Sequence, residues 1–340
     1  MKQAHRNDIQ KLKLPLPGSH AGLALHHLLA NQPERNDKFE SGKHPYTVLA
    51  DSIEKWSVPE VYKKEAFCRW MDFVKSQGIL RLEATTRTPL AIGLGNASPI
   101  ENGLSIHHTY GTPYLPGSAL KGLLRRAAER YDLSEQEKAV LLGEGPDPKR
   151  KTQGNAAYLV YWDGWLDPDS KRPFQKDVIT VHHQNYYSGG KDWPTDFDDP
   201  NPVSFLSIKP GVKFHIPISC TAENAQDWLD RAAEILKWGL ENLGLGGKTN
   251  AGYGYFEVTL PPKPKTQADL AEEVYANFSV LIEKISRRDP LRDVREMASK
   301  LRAHPVELRG KVIESTLRKL EELGASQGDK AKARALLEEA

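Results

Sequence analysis

From Ile79 to Leu90 apolar or small residues alternate with polar ones as Leu80, Leu82, Ala84 and Thr86, a period of two that predicts a first core strand. After a Gly/Pro-rich stretch, Gly93 to Gly117, the period lengthens. Leu120, Leu123, Leu124 and Ala127 then recur at helical spacing, which predicts a helix from Ser118, read as its N-cap, to about Tyr131. Runs rich in Val, Ile, Tyr and Trp predict strands over Ala156–Leu166 and Asp177–Tyr187. Phe205–Ile208 and Lys213–Cys220 read as a strand pair around Pro210-Gly211. Trp228, Leu229, Ala232, Ile235, Leu236, Leu240 and Leu243 mark a second helix, and Tyr253–Leu260 a last strand.

The order strand, helix, strands, helix, strand is that of an α+β, ferredoxin-like (split βαβ) fold with inserted loops. Residues 79–262 form this core. Residues 1–78 carry helical stripes at Gly22–Leu29 and Val61–Val74 and are expected to pack on it. Pro261 to Thr266 is a proline-rich linker, so 263–340 is a separate linker and helical tail, with stripes at Val274–Ile285 and Leu308–Leu323. Its alternating charges read as a solvated face, and Gly324–Lys330 as flexible.

Composition narrows the chemistry. With 340 residues, 39% hydrophobic and 27% charged, the chain suits a soluble globular protein with a sizeable core. The net charge of +2 means that any nucleic-acid footprint must be a local patch. Cys68 and Cys220 are isolated, which favours a reducing cytosol and a cytoplasmic protein. Met1–His20 is charged and broken by proline, so it is no signal peptide, and no apolar run reaches membrane-spanning length.

Two segments can hold anions. Gly244, Gly246, Gly247, Gly252 and Gly254 surround Lys248 between the second helix and the last strand. The P-loop pattern fails here because its first glycine position is Asn242, and because the order is helix to strand, the reverse of a nucleotide loop. A glycine C-cap would explain Gly244 but not the other four. The second segment is Gly111–Arg126, where a Gly/Pro turn opens a helix carrying Ser118, Lys121 and Arg125, with Lys121 and Arg125 on one face. An ordinary amphipathic helix with a wet basic side explains it equally well. In a split βαβ fold the two segments are expected to converge at one edge. Two anion-friendly surfaces without a nucleotide loop point to a polyanion backbone, and Lys171, Arg172, Phe174, Lys176, Tyr186, Tyr187, Lys191 and Trp193 offer basic and stacking groups in the connections. A partly buried hairpin is the competing reading of the tyrosines.

Tyr114-Leu-Pro-Gly-Ser-Ala-Leu-Lys-Gly-Leu-Leu-Arg125 together with Gly244-Leu-Gly-Gly-Lys-Thr-Asn-Ala-Gly-Tyr-Gly254 resembles the signature of the RAMP superfamily of CRISPR effector proteins. His20-Ala-Gly-Leu, Gly93–Gly103 with His107, Asp177 followed by His182 and Tyr186-Tyr187, and Pro200–Leu206 resemble its subunit-six branch in type III-B (Cmr) complexes. The likeness covers roughly residues 15–260, and nothing from it applies to the tail. It implies an RRM-like core with a β-hairpin thumb, for which Asp167–Pro202 is the candidate. Thumb residues would be Lys171, Arg172, Lys176, His182 and Tyr186. It further implies a non-catalytic CRISPR-RNA-binding and scaffold role near the 3′ end of the guide, in antiviral defence. Partners would be CRISPR RNA, target RNA as a further candidate, and other Cmr subunits, above all the repeated backbone subunit. No cofactor or metal is expected. Ser118, Lys121, Arg125, Gly246, Gly247, Lys248 and Asn250 are the RNA-binding candidates.

Two alternatives stand beside this. Relatives of the same fold are metal-independent endoribonucleases, and His107, in the Gly-rich loop, is the best acid–base candidate. The doublets His26-His27, His107-His108 and His182-His183 point their members apart, so they make poor metal pairs. The other alternative is a protein-only scaffold. Gly252-Tyr-Gly-Tyr-Phe-Glu-Val258 resembles the RNP1 pattern but follows the second helix instead of sitting on the third strand, so no stacking role transfers to Tyr253 or Tyr255.

Overall fold

The computed structural model describes residues 2–3, 20–29, 31–33, 43–98, 102–146, 153–181, 183–187, 189, 193–195, 201–262 and 267–339. The chain divides into two compact units, Met1–Pro261 and Pro262–Ala340.

The strands among the described residues are, in chain order, β1 (Lys2–Gln3), β2 (Asn31–Gln32), β3 (Leu80–Thr86), β4 (Tyr114–Leu115), β5 (Leu159–Tyr161), β6 (Gly164–Leu166), β7 (Phe174–Val181), β8 (Asn201–Ile208), β9 (Lys213–Cys220) and β10 (Phe256–Thr259). The main sheet runs β10-β3-β9-β6-β4, with β5 beside β6 on the same edge of β9. All its pairings are antiparallel, with Phe256 opposite Thr86 and Leu82 opposite Ile216. Counting β5 and β6 as one interrupted strand, this is the 4-1-3-2 order of a ferredoxin-like core.

Alternation aims Leu82 and Ala84, Phe214, Ile216 and Ile218, and Phe256 and Val258 at one face, and all are buried. The helices Gly117–Ala128 and Ala225–Asn242 cover that face with Leu120, Leu123, Leu124, Leu229, Ile235, Leu236 and Leu240. They approach closely because Gly239 has no side chain; a Cβ there would stand 3.2 Å from Ala127 Cβ.

The opposite face is also covered, over β9 and β6. A helix from 60 to 76, with a π turn at Tyr62–Ala66, lays Tyr62, Phe67 and Trp70 on it. Trp165 is stacked between Tyr62 and Trp70, with centroids at 5.9 and 5.0 Å, and Tyr62 Oη donates to Leu166 O at 2.6 Å. The RRM sheet face is therefore closed over β9 and β6, while Glu257 and Thr259 on β10 stay exposed.

Several boundaries differ from the sequence reading. The strand expected over Ala156–Leu166 breaks at Trp162-Asp163, because Asp163 turns to accept the Gly117 N–H. The strand expected over Asp177–Tyr187 starts at Phe174 and ends at Val181, and Gln184–Tyr187 is a helical turn. Phe205–Ile208 and Lys213–Cys220 do not pair with each other. Thr86 splits them: its Oγ1 donates to Lys209 O and accepts from Val212 N, so the chain leaves the β7–β8 hairpin and enters the main sheet as β9. The helix at Gly117 has Pro116 and not Ser118 as N-cap, two residues earlier than expected. The sequence reading marks neither Pro45–Glu54 nor Glu135–Leu142 in the first unit, nor Pro290–Leu301 and Gln327–Glu338 in the second; Glu135–Leu142 opens on a capping box of Ser134 and Glu137.

The second unit contains helices Gln267–Glu283, Pro290–Leu301, Gly310–Glu322 and Gln327–Glu338 around Phe278, Val294, Leu301, Val312, Leu320 and Leu337. The stretch read as flexible is ordered: Gly324 turns with φ 77° and Ser326 caps the last helix. Linker residues 263–266 lie outside the described residues. Among the described residues no helix is long and apolar enough to cross a membrane.

Candidate nucleic-acid interface

The glycine loop begins as a helix terminator. Gly244, at φ 74°, donates to Gly239 O and closes the helix Ala225–Asn242. The loop then laces onto the chain beyond β3: Gly254 N donates to Pro89 O at 2.7 Å and Gly247 N to Ala91 O at 2.7 Å, while Leu245 N donates to Gly254 O at 2.8 Å. These contacts explain two more glycines. A Cβ at Gly246 would stand 2.4 Å from Ala91 O, and one at Gly254 2.0 Å from Leu245 O. The Gly247 amide is thereby engaged within the fold, so this residue offers a ligand close approach and not its N–H.

What faces outward is the turn Lys248–Gly252. Lys248 adopts a left-handed conformation (φ 58°, ψ 25°) that costs a non-glycine residue roughly 1–2 kcal/mol. Its ammonium sits 5.5 Å from the centre of the Phe205 ring on β8. Tyr253 Oη donates to Asp177 Oδ2 on β7 at 2.5 Å, so Asp177 holds the loop. Desolvation and that carboxylate push the Tyr253 phenol up to about 12. Asn250 and Gly246 are exposed, and Lys248 is half-buried. The loop and the β7–β8 hairpin thus form one surface, with Lys248 held at their junction.

The helix start is arranged differently. Gly117 presses on the β5–β6 turn, where a Cβ would stand 2.1 Å from Tyr161 O, and its N–H donates to Asp163 Oδ1 at 2.7 Å. A carboxylate of the chain itself occupies this anion-favouring position. Lys121 is half-buried one turn on, and Ser118 and Arg125 are exposed. Arg125 lines a groove of about 510 Å³ shared with Lys138, Glu129, Glu135 and Glu144, a mixed field and not a basic one. The glycine loop sits on Pro89–Ala91 and Phe205, and the helix start sits on the β5–β6 turn.

Of the thumb candidates, Lys176 on β7 forms an ion pair with Asp51 of helix Pro45–Glu54, which roots the hairpin. Lys171 and Arg172 are exposed in the turn before β7, Arg172 at φ 45°. Tyr186 and Tyr187 are exposed edge to face beyond β7, and Trp193 is also exposed. His182 and Lys191 lie outside the described residues.

His107 is packed against aromatic rings, stacked on Tyr110 at 4.8 Å and tilted against Trp165 at 5.6 Å. Burial holds it below the usual imidazole range; Asp163 opposes this, and His108 and His20 add to it. Its Nδ1 accepts from Thr109 N, which leaves the ring proton on Nε2. The pair that most resembles an acid–base dyad is one the sequence did not reveal. His215 Nε2 bonds Asp167 Oδ2 at 2.9 Å and Nδ1 meets Arg81 Nη1 at 3.0 Å, but His215 is buried beneath Phe67 and Trp70. This network ties β3, β9 and the β6 end together. Among the described residues no cluster of three His, Cys, Asp or Glu side chains is placed to hold a metal.

The His20-Ala-Gly-Leu motif is a docking device. His20 Nδ1 accepts from Leu23 N, capping the helix Ala21–His27, and Nε2 bonds His108 O at 2.7 Å. Gly111, at φ 68°, lets this corner close, since a Cβ there would stand 2.7 Å from Ala21 N. Asp163, which anchors the helix start, carries one signal in the sequence, the Asp-Gly turn dipeptide it forms with Gly164.

A family model described as the RAMP superfamily matches residues 83–257, more than half of the 340-residue chain. The CRISPR system Cmr subunit Cmr6 of Pyrococcus furiosus is 24% identical over 249 residues, covering 57% of this chain and 72% of that protein. The corresponding subunit of Saccharolobus solfataricus is 26% identical over 184 residues, covering 53% and 58%. Among solved structures, a chain of a type III-B Cmr-beta complex bound to cognate target RNA is 25% identical, covering 58% of this chain and 64% of that one, with a TM-score of 0.45. The matched part therefore spans less than two thirds of the Saccharolobus protein and of the Cmr-beta chain.

Proposed function

Because the chain belongs to the RAMP superfamily, we propose that it is a non-catalytic CRISPR-RNA-binding and scaffold subunit of a type III-B effector complex, standing where subunit six stands near the 3′ end of the guide. The observation that carries this reading is Lys248, held in a strained left-handed turn over Phe205 where the glycine loop meets the β7–β8 hairpin. Strain of this kind persists where the surrounding fold enforces it, and here it holds a half-buried cation where the loop meets the hairpin. Lys121, Arg125, Ser118, Gly246, Asn250, Lys171, Arg172 and Tyr186 extend the surface along the core and the hairpin. CRISPR RNA and the backbone subunit are its partners.

A non-catalytic role is favoured by the surroundings of its histidines. His107 is half-buried and packed against the rings of Tyr110 and Trp165, and His215 is inaccessible beneath the helix from 60 to 76. Fluorescence anisotropy of the purified protein with labelled single-stranded RNA tests the binding. Affinity is expected to fall as salt rises. End-labelled repeat RNA incubated with EDTA is expected to stay intact; cleavage abolished by His107→Ala would establish the nuclease instead. Co-purification with partner subunits and no RNA binding would leave a protein-only scaffold.

A further inference from the structure

A cleft of about 300 Å³ opens beside the helix from 60 to 76, lined by Trp70, Phe73, Trp162, Trp165, His107 and Asp163 above an aliphatic floor. Phe73 and Trp162 form two walls of a corner, with centroids 6.1 Å apart and planes at 75°. They are 46% and 40% exposed, a large apolar area for side chains of this size. The indole N–H of Trp162 donates to Ser219 Oγ, which fixes the ring's orientation. His107 and Asp163 supply the polar lining. Imidazole Nε2 carries a proton because Nδ1 accepts from Thr109 N. One Asp163 oxygen accepts from Gly117 N, and a carboxylate has lone pairs for further donors.

We propose that this cleft takes one unstacked nucleobase that presents a ring-nitrogen acceptor beside an exocyclic amine, namely adenine or cytosine. The ring lies against Trp162 with Phe73 at its edge, its amine donates to Asp163, and its ring nitrogen accepts from His107 Nε2. Uracil, whose edge carries an N–H between two carbonyls, sets like against like at both groups. Burial keeps His107 uncharged near neutral pH, which preserves the donor–acceptor pair. The carboxylate disfavours phosphate, so the backbone runs outside the cleft and only the base enters. A single slot of this size suits one ring, whereas docking a partner helix requires a long groove with several anchors. The inference rests on the RNA-binding reading for the source of the base.

The test uses the full chain with short homopolymeric A, C and U RNAs, and with AMP, CMP and UMP, read by anisotropy and by tryptophan quenching. A and C RNAs are expected to bind about ten-fold more tightly than U, the scale of one base–aromatic stack. Trp162→Ala and Asp163→Asn are expected to bring A and C down to the U level and leave U unchanged. Phe73→Ala, on an exposed helical position, repeats the test should Trp162→Ala not fold. Equal affinity for the three RNAs, or a preference that survives Asp163→Asn and Phe73→Ala, overturns the proposal. If no RNA binds, the general RNA-binding reading fails, and quenching by AMP and CMP but not by UMP still decides for the cleft. In the assembled complex, a photo-crosslinker at position 73 is expected to capture RNA; capture of a protein segment instead overturns the proposal.

Discussion

Tyr253 Oη donates a 2.5 Å hydrogen bond to Asp177 Oδ2, joining the glycine loop to the β7–β8 hairpin across 76 residues of sequence. Lys248 repeats the link through the Phe205 ring. A loop that looks like an independent ligand cradle is thus one wall of a composite surface. Tyr253→Phe is expected to cost about 1.5–3 kcal/mol in chemical denaturation, the range for a hydrogen bond to a charged group. The phenol titrates at about 12 in the folded protein, above its ordinary 10.0, so the stabilisation is complete below pH 10 and lost as pH rises toward 12. Ultraviolet titration of Asp177→Asn should show that tyrosine moving back toward 10.

The glycines of the loop should separate into two classes. Gly254→Ala and Gly246→Ala drive a Cβ into carbonyl oxygens at 2.0 and 2.4 Å on a positive-φ backbone, and are expected to destabilise by more than about 3 kcal/mol. Gly252→Ala meets nothing within 4 Å and bears only the left-handed penalty of about 1–2 kcal/mol. Equal losses in thermal melts of the three variants would contradict this division.

Lys248→Ala is expected to weaken single-stranded RNA binding uniformly across sequences and to lower the salt slope by about one. Lys121→Ala is expected to lower affinity in the same sequence-independent way, read in the same anisotropy titration. Lys248→Ala also removes a left-handed lysine, so its melting temperature should be recorded beside its affinity.

Burial depresses His107, so folding favours the neutral ring. Its contribution is complete above the ordinary value of 6.5 and is lost as pH falls below that through the folded-state value. Denaturation midpoints are expected to drop as pH falls below 6.5, and His107→Asn should flatten the drop. His26, depressed by burial and by His27, acts in the same direction, so His107→Asn should leave a residue of the slope.

The order of elements was legible because periodicity is local: Leu80–Ala84 alternates, while Leu120–Ala127 and Leu229–Leu240 recur at helical spacing, whatever they pack against. The 4-1-3-2 sheet follows from that order, and the paired glycine/lysine segments marked the RAMP superfamily. Tertiary structure alone decided what those segments touch. Thr86 sends Asn201–Ile208 to Phe174–Val181 instead of to its neighbour Lys213–Cys220, a choice made by a side chain far away in sequence. Asp163 fills the helix start that composition offered to an anion, and Ala91 takes the Gly247 amide that spacing offered to a phosphate. Backbone donors must find partners wherever they are buried. The sequence therefore shows where amides and cations are concentrated, and only the packed chain determines which of them still face outward.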